Sequence, residues 1–154
     1  MKIVFDLDDT LADSSERVNK YLWDGDTRVE NPDWEAFFAE CSNDKPIWPI
    51  IHLYKLLEDE YDDNDIKIWT ARDNATRTET LKWLRKHGIR ILNSNLTMRL
   101  EGDRTDDDEL KRMWLKTHMA AGWKPDLVFE DRKRIVDMYR KEGIRCVQVA
   151  DGDF

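Results

Sequence analysis

Four short runs of the chain are apolar with few charges among them: residues 2–7 (KIVFDL), 66–70 (IKIWT), 126–129 (DLVF) and 145–149 (RCVQV). Such runs are typical of strands covered on both faces, as in a parallel sheet. Between them the spacing changes. Residues 74–87 carry Leu81 and Leu84 three positions apart, and residues 106–121 and 132–142 also read as helices. Each of these stretches is followed at once by a glycine (Gly88, Gly122 or Gly143), the residue that most readily stops a helix. Strand and helix therefore alternate. The pattern predicts an α/β fold with a central parallel sheet and right-handed crossovers.

Residues 14–60 break this rhythm. The stretch holds three of the four prolines (Pro32, Pro46, Pro49) and three tryptophans (Trp23, Trp34, Trp48), with a helical piece over residues 50–60. It reads as a small helical cap inserted after the first strand and covering the carboxyl edge of the sheet. An ordinary first crossover with extra turns is the alternative. The acidic run at residues 59–65 reads as a solvated turn. With no repeat and no Pro-, Gly- or Ser-rich linker, residues 1–154 read as a single domain.

Composition narrows the function. Of 154 residues, 40% are hydrophobic and 38% charged, with seven tryptophans, which is too aromatic for a disordered chain. No apolar run approaches the ~18 residues of a membrane span, and the acidic N-terminus MKIVFDLDDT does not suit a signal peptide. The 33 acidic residues outnumber 25 basic ones, for a formal charge of −8. That disfavours coating of duplex DNA, yet leaves room for a phosphate held in one basic pocket. The six glycines form neither GxxxxGK[ST] nor GxGxxG, which excludes both nucleotide-binding motifs. Cys41 and Cys146, 105 positions apart, read as buried thiols of a reduced, cytoplasmic protein. The histidines at 52, 87 and 118 show no metal-ligand spacing and read as structural or exposed.

Ligands of open α/β sheets bind beyond the carboxyl ends of the strands. After the first strand come Asp6, Asp8, Asp9 and Thr10; at the end of 66–70 come Thr70, Ala71 and Arg72; after 126–129 come Glu130, Asp131 and Arg132. Carboxylates gathered at one edge repel each other unless a cation joins them. An oxygen-only set favours Mg²⁺, which also takes substrate phosphate.

The segment Asp6-Leu7-Asp8-Asp9-Thr10 resembles the DxDx[TV] signature of the haloacid dehalogenase superfamily. Thr70, Lys111 and Glu130-Asp131 are similar to that family's second, third and fourth motifs, in order and over nearly the whole chain. A closer resemblance is to the 3′-phosphatase domain of bacteriophage polynucleotide kinase-phosphatases. It rests on Met98-Arg99, Gly102-Asp103, Asp107-Asp108 before Lys111, Glu130-Asp131-Arg132 with Val136, Met138 and Arg140, and the terminal QVADGDF. The chain departs from that pattern in lacking a kinase half, in Glu130 where the phage enzyme has Asp, and in residues 14–60.

The resemblance implies a Rossmann-like three-layer fold with a cap. It implies a Mg²⁺-dependent phosphomonoesterase that works through an aspartyl-phosphate and removes 3′-phosphates from polynucleotide ends. Asp6 would be the nucleophile. Asp8 would be the general acid and base, with its backbone carbonyl on Mg²⁺. Thr70 and the Ala71 amide would hold phosphoryl oxygens, and Lys111 would neutralise phosphoryl charge. Asp131, with Glu130 beside it, would join Asp6 on the metal. Arg72, Arg17 and Arg99 would bind substrate, and Asp107, one turn before Lys111, would orient that lysine. Thr10 stays open between capping a turn and a catalytic role. Two other readings also stay open: a 5′(3′)-deoxyribonucleotidase acting on free nucleotides, and an inactive binding module of the same fold. Expected partners are a phosphorylated nucleic-acid end or nucleotide and a separate kinase or ligase, with no membrane. The expected location is the cytoplasm, a host's if the protein is phage-encoded.

Overall fold

A computed structural model describes residues 1–152; Asp153 and Phe154 of the QVADGDF terminus lie outside the described residues. In chain order the elements are β1 (Ile3–Phe5), β2 (Ala12–Asp13), α1 (Ser15–Tyr21), β3 (Trp23–Asp24), β4 (Thr27–Arg28), α2 (Trp34–Ala39), β5 (Lys45–Pro46) and α3 (Trp48–Glu60). They continue with β6 (Ile66–Asp73), α4 (Arg77–Lys86), β7 (Leu96–Arg99), α5 (Asp107–Ala120), β8 (Leu127–Glu130), α6 (Lys133–Lys141) and β9 (Arg145–Gln148).

Five strands make one parallel sheet in the order β7-β6-β1-β8-β9, with β1 at its centre. Strand alternation sends Ile3, Phe5 and Ile68 to one face, where Ile51 and Tyr54 of α3 and Trp83 and Leu84 of α4 bury them. Val4, Trp69 and Val128 face the other way, onto Leu115 of α5 and Ile135, Val136 and Tyr139 of α6. This is the α/β arrangement with a central parallel sheet that the sequence pattern predicts, in the three layers that the family resemblance implies.

The sequence reading does not include β7. Its sequence LTMR alternates apolar and polar side chains, as an edge strand does, and lacks the continuous apolar signal of the central strands. Residues 14–60 divide in two. Helix α3 packs on the sheet, whereas Val18, Leu22 and Phe37 form a separate small core with Tyr21, Trp23, Trp34 and Phe38 around it. The first part is tied down by the pairing of β2 with β5 and by the Ile47 amide donating to the Leu11 carbonyl at 2.9 Å. Cys41 and Cys146 are free and buried, as the sequence reading expects.

Phe5 lies between Phe129, stacked at 4.5 Å between ring centroids, and Tyr54 at 5.0 Å. It joins the central strands to α3. Phe5→Ala is expected to destabilise the fold by about 3–5 kcal/mol, the usual range for emptying a packed aromatic site, when measured by urea unfolding. A loss below about 1 kcal/mol would contradict this packing.

Candidate active site

The carboxyl ends of β1 and β8 lie side by side, because the two strands pair in register from Ile3–Leu127 to Phe5–Phe129. Asp6 and Glu130-Asp131 are therefore neighbours, and the Asp6 amide donates to the Phe129 carbonyl at 2.9 Å. Beyond Asp6 the chain turns sharply. The Leu7 carbonyl accepts from the amides of Leu11 and Ala12 at 2.8 and 2.9 Å, and Asp9 sits at φ +59°. The Asp9 carboxylate secures the turn by accepting from the Ser14 amide (2.9 Å) and hydroxyl (2.7 Å). Thr10 does not cap this turn: its hydroxyl is buried with no hydrogen bond among the described residues.

Lys111 reaches this corner from α5. Its buried ammonium donates to Asp6 Oδ1 at 2.5 Å and to Glu130 Oε2 at 2.7 Å. Burial opposes its charge, but the two carboxylates hold Lys111 protonated, well above the usual lysine range. Asp6, Glu130 and Asp131 bring one oxygen each within 4.8 Å of one another. Burial, then Glu130, pushes the Asp6 carboxyl up to about 8, although Lys111 pulls the other way. Burial, then Asp6 and Glu130, pushes Asp131 to about 9. Asp131 Oδ2 is buried with no hydrogen bond among the described residues. Three buried carboxylates, one with an orphaned oxygen, fit a hard divalent cation such as Mg²⁺.

Asp8 belongs to a second compartment. Its carboxylate accepts from Arg17 and from Arg72 Nε (2.9 Å) and Nη2 (2.6 Å). Burial works against the charge, yet these guanidiniums hold Asp8 down at about 2. The Asp8 side chain thus stands outside the three-carboxylate group, and only its backbone carbonyl remains for the implied metal contact. Arg17 and Arg72 are themselves buried and also clamp Asp44, at 2.9 and 2.6 Å. Burial outweighs the bonds from Arg17 and raises Asp44 to about 6. The sequence reading does not single out Asp44. It lies beyond the carboxyl end of none of the sheet strands and follows no motif, so only the fold reveals it.

Thr70 is buried near the end of β6, and its hydroxyl accepts from the Arg72 amide at 3.2 Å. The register shift of β6 against β7 between Thr70 and Asp73 turns Ala71 and Arg72 at this edge. The expected role of Asp107 is corrected here. Its carboxylate pairs with Arg99 and Arg132, not with Lys111, whose ammonium follows the buried carboxylates of β1 and β8. Arg99 acts as a strut. It donates to the carbonyls of Ala71 (3.1 Å) and Thr105 (2.6 Å), fixing the loop before α5 against the end of β6.

A central parallel sheet with Asp6 just beyond its middle strand, Thr70 on a neighbour, and Lys111 and Asp131 converging beside them defines a phosphatase of the haloacid dehalogenase type. More specifically, the profile of the polynucleotide kinase PNKP phosphatase domain matches residues 1–154, and the chain belongs to that family. Among solved structures, a chain of the Pnkp1/Rnl/Hen1 complex is similar, with TM-score 0.74 and 25% identity over 99% of this chain and 47% of that one. The present chain thus spans about half the length of that relative. A haloacid dehalogenase-like hydrolase from Streptococcus pneumoniae (TM-score 0.55, 17% identity, 96% and 83% covered) and a HAD hydrolase from Entamoeba histolytica (0.60, 13%, 99% and 85%) share the fold.

Two outcomes follow. Without metal, the raised Asp6 and Asp131 bind protons more tightly folded than unfolded. Their stabilisation is fully present below about pH 4 and is lost as pH rises through about 8 and 9. In EDTA the Tm should fall from pH 5 to pH 9, and Asp131→Asn should flatten that slope; equal slopes would remove Asp131 as its source. Gly152 closes the other side of the site, its amide donating to the Asp131 carbonyl at 3.3 Å. A Cβ there would stand 1.7 Å from Asp131 Oδ2. Gly152→Ala should therefore weaken Mg²⁺ binding by about 10- to 100-fold in a calorimetric titration, the usual scale for disturbing a ligand's support. Unchanged affinity would show that Asp131 does not need its present position.

Proposed function

We propose that the protein is a Mg²⁺-dependent phosphomonoesterase that removes 3′-phosphates from polynucleotide ends through an aspartyl-phosphate on Asp6. The observation that carries this reading is the Lys111 ammonium held between Asp6 and Glu130 while Asp131 Oδ2 has no hydrogen bond among the described residues. Asp6, Asp131, Glu130 and the Asp8 carbonyl would hold the ion, which supplies charge neutralisation for the phosphoryl oxygens.

Lys111 fixes Asp6 Oδ1, so Oδ2 is the oxygen positioned to attack phosphorus. The P–O bond to the 3′ carbon's oxygen breaks, and Asp8 gives that oxygen a proton. Asp8 then takes a proton from water as the water oxygen attacks the acyl phosphate, releasing inorganic phosphate and regenerating Asp6. The arginine clamp keeps Asp8 ionised at rest. A phosphate dianion entering beside it repels that charge and competes for the guanidiniums, which raises the Asp8 pKa when a proton is needed. Arg17 and Arg72 each keep a buried Nη1 without a hydrogen bond among the described residues, donors suited to phosphoryl oxygens. Thr70 and the Ala71 amide serve the same group.

Residues 14–47, joined to the sheet through Arg17 and Asp44, act as the cap of a single domain, and α3 acts as the first sheet-covering helix. A hydroxyl-ended product is what a ligase consumes, and the likeness to a chain of the Pnkp1/Rnl/Hen1 complex supports work beside a separate kinase or ligase. No helix among the described residues is long and apolar enough to cross a membrane.

The decisive comparison is phosphate release from one oligonucleotide phosphorylated at either end, and from mononucleotides. A kcat/KM at least tenfold higher for the 3′-phosphate is expected, with activity lost in EDTA and in Asp6→Asn. A preference for 5′-mononucleotides would assign the site to a nucleotidase, and full activity of Asp6→Asn would remove the nucleophile.

A further inference from the structure

Away from the carboxylates, one flank of the molecule combines an exposed aromatic ring with unpaired positive charge. Trp48 opens α3 with 48% of its surface exposed. Its ring centroid lies 5.6 Å from that of His52 and 6.0 Å from that of His87. His87 is held in turn by Trp83, with ring centroids 4.2 Å apart and its Nδ1 2.8 Å from the Trp83 carbonyl oxygen. Trp48 therefore stands on an ordered aromatic base while leaving much of its own ring to solvent.

The helices around it carry an excess of basic residues. From Trp48 to Leu57, α3 contains no acidic residue, and α4 carries Arg77, Lys82, Arg85 and Lys86 against a single Glu79, in a chain of net charge −8. Lys55, Lys82 and Lys86 are exposed and form no ion pair among the described residues. Lys55 lies beside the α4 terminus, its Nζ 3.0 Å from where a Cβ of Gly88 would stand.

The flank is also joined to the catalytic corner. The Trp83 indole donates to the Asp44 carbonyl at 2.8 Å, and the Asp44 carboxylate holds Arg17 and Arg72. Only Ile47 separates Trp48 from β5, and β5 pairs with β2, the strand that leaves the Asp6–Thr10 turn.

We infer that this flank is a track for single-stranded polynucleotide, with a base stacked on Trp48 and backbone phosphates beside Lys55, Lys82 and Lys86. A stacking ring with flanking cations is the sequence-tolerant way to hold a single strand. The inference rests on the proposed action at nucleic-acid ends and extends it to nucleotides upstream of the terminal phosphate.

The test begins with a fluorescent 12-nucleotide single strand ending in a 3′-hydroxyl, whose binding is read by anisotropy and needs no phosphatase chemistry. Trp48→Ala should weaken binding about 5- to 100-fold and Trp48→Phe should restore most of it. The Lys82→Glu/Lys86→Glu variant should lower the slope of log affinity against log salt by about 1.4. With a 3′-phosphorylated 12-mer, Trp48→Ala should raise KM and spare kcat, and hydrolysis of a nucleoside 3′-monophosphate should not change. An unaffected 12-mer affinity, or an equal loss on the mononucleotide, overturns the track. Binding that depends on Trp48 without release of 3′-phosphate overturns the proposed reaction and supports the track.

Discussion

Four carboxylates, those of Asp6, Asp8, Glu130 and Asp131, lie at the ends of two adjacent strands where little water reaches. They cannot all carry charge there unaided. The structure separates them. Lys111 binds Asp6 and Glu130, two arginines bind Asp8, and Asp131 keeps an oxygen with no hydrogen bond among the described residues. Much of the architecture serves this separation. Helix α5 must bring Lys111 to the end of β1, and Arg99 with Asp107 fixes the start of that helix. Beyond β9, the chain returns over Asp131, where Gly152 is the residue that fits.

The same electrostatics attach the covering segment to the sheet. Arg17 belongs to α1, Asp44 precedes β5, and Arg72 comes from β6, yet all three meet at Asp8 or at one another. The Phe37 ring lies 4.4 Å from the Arg17 guanidinium, so the small core of the covering segment shields the pair from solvent. Asp8 at the site and Asp44 of the covering segment thus share the same two arginines.

The alternating strands and helices were legible because buried parallel strands are continuous apolar runs and glycines stop the helices. Strand β7 was not, since its four residues LTMR give only a short alternating signal. The acids at strand ends were legible as a cluster from topology alone, but their partners were not. Spacing along α5 pointed from Asp107 to Lys111, whereas a lysine side chain long enough to reach the sheet follows the stronger field of Asp6 and Glu130. Arg17 and Arg72 read as arms for substrate; in the fold they are buried against Asp8 and Asp44. Asp44 had no sequence signal because its role depends wholly on two residues distant in the chain.

Proton release on metal binding tests the separation of charge most directly. Burial and mutual repulsion raise Asp6 to about 8 and Asp131 to about 9 in the metal-free site, so the group as a whole retains a proton at pH 7 that a cation displaces. Calorimetric titration of Mg²⁺ at pH 7 in buffers of different ionisation enthalpy should show at least about one proton released per ion. Heats that do not vary with the buffer, or no binding at all, would contradict a buried carboxylate site that a cation completes.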